Sequence, residues 1–411
     1  MKADVAIVGA GPAGLAAAIA AKENGAKRVV VIERESHLGG ILNQCIHNGF
    51  GLHVFGEELT GPEYAARFED KAAALDITCL TQTMVLDISP SRVLTVVGPQ
   101  TGFCTIEAGA IVLAMGCRER SAGALMLPGG RPAGVLTAGT AQRFVNIDGY
   151  MPGKEVVILG SGDIGLIMAR RMTLEGAHVK MVLELMPFSG GLKRNIVQCL
   201  DDYNIPLKLS YTVTRIHGAK RVEGVSIAAV DNKGVPIKDT EEYVACDTLL
   251  LSVGLIPENE LSRGMDIKID PVTGGPEVDS HMQTSIKGVF ACGNAVQVHD
   301  LVDFVTEEAT RAGAAAARYL FEEDKAIAYC PTKAGTGIRY VVPQRLRLDG
   351  DKKTLFFRVT NVFKNCVTVA RCGDKVIARK KRLVCTPGEM ESLCIADEDI
   401  QGDVIVSVEE A

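Results

Sequence analysis

Two glycine-rich turns of one design constrain this chain more than any other feature. The first, Gly9-Ala10-Gly11-Pro12-Ala13-Gly14, follows an apolar run Asp4–Val8 that reads as a strand. It precedes Leu15-Ala16-Ala17-Ala18, side chains small enough for a helix to lie against a sheet. Glycines in such a turn permit a tight bend, close backbone approach to a pyrophosphate and close helix–strand contact. The helix start then offers free N–H groups and a positive dipole end to phosphate. A second strand, Arg28–Ile32, ends in Glu33, 19 residues after Gly14, where a carboxylate can accept both ribose hydroxyls. The second turn, Gly160-Ser161-Gly162-Asp163-Ile164-Gly165, follows Glu155–Leu159 and has its acid, Glu184, again 19 residues on. Equal spacing predicts two dinucleotide sites; the alternative is a duplicated fold with one site lost.

The rest of the chain arranges itself around these turns. Its 411 residues exceed one compact domain, and four stretches differ in pattern: 1–117, 118–254, 255–326 and 327–411. The third holds a strand at Val289–Cys292 and an Ala-rich helix around Val302–Tyr319. The last alternates apolar and polar residues, as in Thr354–Thr360 and Asp403–Val408, which predicts an antiparallel β domain, a small sandwich. A net charge of −6 speaks against general nucleic-acid binding. No apolar run approaches the ~18 residues of a membrane span. Twelve Cys without an export signal predict reduced thiols and a cytoplasmic location.

Three further motifs make the chain resemble the FAD-dependent pyridine nucleotide–disulfide oxidoreductases. Ile111-Val112-Leu113-Ala114-Met115-Gly116 is similar to the strand closing that family's first FAD segment. Leu251-Ser252-Val253-Gly254-Leu255-Ile256-Pro257 resembles the crossover out of the NAD domain, and Gly288-Val289-Phe290-Ala291-Cys292-Gly293-Asn294 resembles the second FAD motif. The resemblance covers about residues 1–326. It implies an α/β fold of two Rossmann-like domains, an FAD domain interrupted by an NAD domain, followed by the C-terminal antiparallel β domain. It assigns FAD to Gly9, Gly11, Pro12, Ala13, Gly14, Glu33, Arg34, Gly40, Ala114, Gly116, Gly293 and Asn294. It assigns NAD(H) to Gly160, Gly162, Asp163, Ile164, Gly165, Glu184 and Gly254. Glu184 favours NADH over NADPH, with Lys180 the candidate phosphate ligand should NADPH be used.

Two departures from the family pattern bear on function. Asn294 stands where the family has an Asp that accepts from the ribityl chain; the amide oxygen can still accept, without the charge. The redox dithiol is missing: Leu42 and His47 occupy the two Cys positions after Gly39-Gly40, and no C-x-x-C occurs anywhere. This pattern, with His299-Asp300-Leu301-Val302-Asp303 after the second motif, resembles a branch that includes opine oxidase and hydrogen cyanide synthase subunits. The same branch contains oxidoreductases paired with glycerol-3-phosphate dehydrogenase-like flavoproteins. It implies hydride transfer between NAD(H) and FAD, with electrons exchanged with a substrate-dehydrogenase flavoprotein subunit. Two rivals remain: a stand-alone NADH oxidase or reductase with a small acceptor, and a non-catalytic flavin-binding scaffold. A homo-oligomer is left open.

Few side chains are candidates for more than cofactor binding. His47 and Cys45 are the catalytic candidates, set against a structural loop histidine and a buried inert thiol. His299 and Asp300 precede the Ala-rich helix, and Asp300 is expected to cap it. No His grouping has metal-ligand spacing, and the tail cysteines Cys330, Cys366, Cys372, Cys385 and Cys394 are too irregular for an iron–sulfur cluster. Residues 326–382 hold 14 Lys or Arg against 3 acids, and 383–411 hold 8 acids and no bases. That split is read either as mutually offsetting strand faces or as a docking surface.

Overall fold

The computed structural model of the chain describes residues 1–321 and 327–410. The chain divides into two compact units: Met1–Cys117 with Pro257–Ala411, and Arg118–Ile256. The sequence-expected boundary at 326/327 adjoins residues 322–326, which lie outside the described residues.

The first unit opens with strand β1 (Lys2–Val8), helix α1 (Pro12–Glu23) and strand β2 (Val29–Ile32). Helix α2 (Gly61–Ala74) and strand β3 (Gly102–Leu113) follow. The sheet runs Thr78–Leu80, β2, β1, β3, Val93–Gly98, Met84–Ile88. Its first four strands are parallel, and the last two join β3 as an antiparallel meander. Continuous apolar runs in β1 and β2 are buried along nearly their whole length, as parallel strands covered on both faces require. That meander explains why β3 begins well before the closing motif at Ile111: its N-terminal half pairs with Val93–Gly98 rather than with β1 alone. A capping box at Thr60 and Glu63 starts α2.

The second unit repeats the plan with β4 (Glu155–Leu159), α3 (Asp163–Leu174), β5 (His178–Glu184) and β6 (Thr248–Leu251). Its parallel sheet runs Val135–Thr137, β6, β4, β5, Leu207–Leu209. An antiparallel sheet of Tyr211–His217, Gly224–Ala229 and Glu242–Ala245 lies within the same unit.

The chain then returns to the first unit. Strand β7 (Val289–Ala291) joins the far end of β3 in parallel, Val289 opposite Ile111. Helix α4 (Val302–Tyr319) has the bounds read from the sequence. It packs on α1 backbone to backbone: a Cβ at Gly313 would stand 2.0 Å from the Ala17 carbonyl oxygen. The alanines of both helices are the side chains that permit this approach. Asp300 is not the helix cap; Leu301 takes that position without a side-chain bond. Asp300 instead pairs with Arg358 and accepts the Met390 N–H at 2.6 Å, because a charge-assisted bond to a largely buried guanidinium is stronger than a bond to a helix-end N–H.

Strands β8 (Lys353–Val359), β9 (Phe363–Cys372), β10 (Lys375–Cys385), β11 (Glu391–Ile395) and β12 (Val404–Glu410) build the C-terminal β region. One sheet runs Arg345–Arg347, Tyr329–Ala334, β12, β9, β10, and the other runs Ile338–Val342, β8, β11. The two share one core, including Leu355, Phe357 and Leu393 from one and Leu346, Val404 and Val406 from the other. All pairings are antiparallel except Tyr329–Ala334 with β12. Ion pairs join the basic stretch to the acidic one: Arg382 with Glu391, Arg371 with Glu409, Lys375 with Asp399 and Lys333 with Asp403. The offsetting-faces reading therefore accounts for much of the charge split. Arg379 and Lys381 on β10 stay exposed. Among the described residues no helix is long and apolar enough to cross a membrane.

Candidate cofactor sites

Each glycine turn is held by its acid in the same way. Glu33 ends β2 at 7% exposure, and its carboxylate accepts the Ala10 N–H at 2.8 Å and the Glu35 N–H at 2.9 Å. Glu184 ends β5 and accepts the Ser161 N–H at 2.9 Å, the Ser161 hydroxyl at 2.5 Å and the Met186 N–H at 2.9 Å. Ala10 and Ser161 each follow the first glycine of their turn, and Glu35 and Met186 each lie two residues beyond the acid. A carboxylate has about four lone-pair positions, so about two remain at Glu33 and about one at Glu184.

The glycines divide by what surrounds them. Gly9, with φ +100°, sits so near the end of β3 that a Cβ would meet the Ala114 oxygen at 2.5 Å. A Cβ on Gly14 would meet the Gly9 oxygen at 1.8 Å. Gly11 differs: its φ of −71° suits any residue, and a Cβ there meets nothing within 4 Å. Nothing in the protein requires glycine at 11, so an open cradle beside the uncapped start of α1 is the feature that fits a bound pyrophosphate. The second turn has the same two crowded glycines and a tighter middle one. A Cβ would strike the Ser252 oxygen at 2.0 Å from Gly160 and the Ser252 Cβ at 2.6 Å from Gly165, while from Gly162 its nearest neighbour is the Ser252 hydroxyl at 3.2 Å.

The remaining residues of the first site gather around that cradle. Gly39 donates to the Ala10 carbonyl at 2.9 Å, and a Cβ on Gly40 would stand 2.9 Å from the Gly11 Cα. A Cβ on Gly293 would stand 2.9 Å from the Ala13 Cβ, so the second motif touches the first. Ala114 donates to Val8 as β3 ends, and Gly116, like Gly254 in the other unit, has open space where a Cβ would project. Pro12 fills the first helical position of α1. Arg34 is exposed, 4.0 Å from Glu35. The Asn294 Oδ1 accepts the His299 N–H at 3.0 Å, and its Nδ2 donates to the Cys117 sulfur at 3.6 Å.

The other candidates each have partners within the protein. Asp163 serves its own loop: its carboxylate accepts from the Leu192 N–H at 2.8 Å and the Asn195 amide at 2.6 Å, while Ile164 packs into the core of its unit. Lys180 is tied to the Ala245 carbonyl at 2.6 Å and to Glu155 at 3.1 Å, four residues down the strand from Glu184. Lys193 and Arg194 are exposed cations in the segment whose Gly190 N–H donates to the Ser161 hydroxyl. Cys45 donates to the Ile41 carbonyl at 3.4 Å, and burial pushes its thiol up to about 12. A protonated thiol at neutral pH is a poor nucleophile. His47 bonds the Asn48 carbonyl at 3.0 Å and lies against Phe50, with ring centroids 5.0 Å apart.

Sequence reasoning missed the polar cluster at the start of α4. Asp303, 3% exposed, accepts the backbone N–H groups of Gly51, His53 and Val54 at 3.2, 3.2 and 2.9 Å, pinning that loop to the helix. Glu308 is buried one turn on. A signal was present, since Glu308 falls on the same helical face as Val305, Ala309 and Ala312, where charge is out of place.

The profile of a family described as pyridine nucleotide-disulphide oxidoreductase matches residues 3–317. An opine oxidase subunit of Agrobacterium tumefaciens (strain Ach5) is 25% identical over 72% of this chain and 61% of its own length. Hydrogen cyanide synthase subunit HcnB of Pseudomonas protegens is 26% identical over 64% of this chain and 58% of its own. This chain thus spans about three fifths of these two relatives. The crystal structure of T. acidophilum thioredoxin reductase superposes with a TM-score of 0.62 at 26% identity, covering 78% of this chain and 98% of that one.

Proposed function

The chain belongs to the pyridine nucleotide-disulphide oxidoreductase family, whose members bind FAD and NAD(P)H, and from that premise we propose a thiol-independent hydride transferase. In this reading it moves a hydride between NAD(H) and FAD and exchanges electrons with a substrate-dehydrogenase flavoprotein partner. The observation that carries it is the pair of glycine turns, each held by a carboxylate that can still accept from a ligand. Bound FAD supplies the two-electron chemistry, and the protein's part is to bind, orient and tune. Glu33 accepts from the adenosine ribose of one dinucleotide and Glu184 from that of the other. The starts of α1 and α3 receive the pyrophosphates on free N–H groups.

The absence of a thiol step is supported by the cysteines themselves. Cys292, beside the second FAD motif, is fully buried, and burial together with the Glu308 charge pushes its thiol well above the ordinary range. Cys366 and Cys385 bring their sulfurs within 3.7 Å, but both lie in the core of the C-terminal β region, where burial pushes the Cys385 thiol up to about 12. The partner is suggested by the fact that the opine oxidase and cyanide synthase relatives are themselves subunits. The stand-alone reductase remains a second reading, since the chain matches nearly the full length of a thioredoxin reductase.

Rapid mixing of the yellow holoprotein with NADH tests the proposal. The flavin absorbance bleaches fully in the wild type and equally in Cys45→Ser, with no long-wavelength thiolate–flavin band in either. A band that disappears with Cys45 would overturn the thiol-free step, and no bleaching at all would leave the scaffold role. Sustained turnover with oxygen or a small disulfide would favour the stand-alone enzyme.

A further inference from the structure

Behind the Gly293–Asn294 turn lies a charged cluster that the dinucleotide motifs do not require. Glu308 is 1% exposed, and the imidazole of His299 is fully buried. One Glu308 oxygen accepts the Gly293 N–H at 2.7 Å. The other accepts the Gln297 amide at 3.1 Å and faces His299 Nε2 at 3.2 Å. The His299 backbone N–H donates to the Asn294 Oδ1 at 3.0 Å. The turn is therefore gripped twice, through Gly293 by the Glu308 carboxylate and through Asn294 by the His299 backbone.

A carboxylate this deeply buried is costly unless a countercharge and hydrogen bonds accompany it. Burial alone would raise the Glu308 carboxyl, but the His299 charge and bond, with the Gln297 and Gly293 donors, hold it below the ordinary range. Packing does not call for a charge here, since the neighbouring positions on the same face of α4 are Val305, Ala309 and Ala312. The cluster is also incomplete within the protein: His299 Nδ1 and Gln297 Oε1 are buried without a partner among the described residues. Buried polar atoms left over in a native fold call for a group from outside the chain or an ordered water.

We propose that His299 and Glu308 are a positioning ion pair for the flavin. They fix the Gly293–Asn294 turn and hold the charge behind it at zero. The proposal rests on the FAD reading above, in which that turn meets the ribityl side of the cofactor. It also gives the Asn at 294 a context: where relatives place a carboxylate in the turn, this chain keeps one behind it, neutralised. A negative charge near the flavin opposes the electron density that reduction adds, and a positive charge favours it. Removing either partner alone leaves the other bare, and the two losses act with opposite sign.

The test is spectroelectrochemical titration of the FAD-loaded protein, with FAD dissociation measured alongside. Glu308→Gln removes the carboxylate that accepts the Gly293 N–H, a negative charge directly behind the turn, and raises the flavin potential relative to wild type. His299→Gln, studied at pH 8.5 where the bare carboxylate stays ionised, lowers it. The double variant returns the potential to near the wild-type value. Each single variant also weakens FAD binding by about tenfold, the loss of one charge-assisted hydrogen bond. Should a single variant fail to fold, Glu308→Asp keeps the charge, so it weakens FAD binding while leaving the potential in place. If Glu308→Gln and His299→Gln leave the potential unchanged or move it in one direction, the pair is overturned, because a merely structural role moves affinity without that sign reversal. A wild type that neither carries nor takes up FAD would instead overturn the FAD reading itself.

Discussion

Replacing Gly11 by Ala separates what the first turn does for the fold from what it does for a ligand. The Cβ meets nothing within 4 Å, and the backbone at 11 is extended, so no strain follows. Ala is a poorer helix cap than Gly by about 0.5–1 kcal/mol, and the stiffer unfolded chain offsets about 0.4–1 kcal/mol of that. The apoprotein should therefore melt within about 1 kcal/mol of wild type. Gly14→Ala is the contrast: its Cβ would stand 1.8 Å from the Gly9 oxygen, so β1 and α1 must separate. Overpacking of that kind costs about 1–3 kcal/mol or more. For FAD the order reverses in kind, since the methyl at 11 occupies the cradle and blocks backbone bonds to the pyrophosphate. Losing one such charge-assisted bond, at about 1.5–3 kcal/mol, weakens binding by roughly ten- to a hundredfold. Thermal melts of the apoprotein and titration of FAD fluorescence read the two quantities separately. If Gly11→Ala binds FAD as wild type does, the cradle holds no pyrophosphate; if it melts as low as Gly14→Ala, the space at 11 is not open.

NADH should reduce the flavin roughly 10- to 1000-fold more efficiently than NADPH, because Glu184 repels the extra phosphate by about 1–4 kcal/mol at ~4 Å. Stopped-flow rates that match for the two nucleotides would refute this and turn attention to Lys193 and Arg194, since Lys180 is anchored elsewhere. Asp303→Ala leaves three backbone N–H groups without their carboxylate, so hydrogen exchange at Gly51, His53 and Val54 should rise sharply, with a stability loss of about 2–4 kcal/mol. Unchanged protection at those amides would show that the loop is held by something else.

The sequence carried the parts of this molecule that are local. A glycine turn, the strand before it, the helix after it and the acid one strand later lie within about one βαβ span, so both turns and the bounds of α4 were readable directly. What was not readable depends on partners far along the chain. Asp300 looked like a helix cap because the local rule says so, whereas Arg358, brought in by β8, outcompetes the helix end. The basic and acidic stretches looked like a surface feature because composition has no register. Once β10 lies beside β11, Arg382 finds Glu391, and once β9 lies beside β12, Arg371 finds Glu409. The grip on the Gly293–Asn294 turn was hidden for a related reason: Glu308 reaches Gly293 only because α4 folds back beneath the turn.

The pairing of β3 with β7 has a consequence for how the protein is made. Residues 111–113 must wait beside an open sheet edge until residues 289–291 emerge, and the whole of Arg118–Ile256 is synthesised in between. An unstructured insert would add only about 0.6 kcal/mol of closure entropy per doubling of length, but it would leave that hydrophobic edge bare for longer. Folding of the inserted unit on its own draws the two ends of the gap together before β7 arrives. The edge at Ile111–Leu113 thus stays unpaired until β7 is made, and α4, which packs on α1, follows directly after it in the chain.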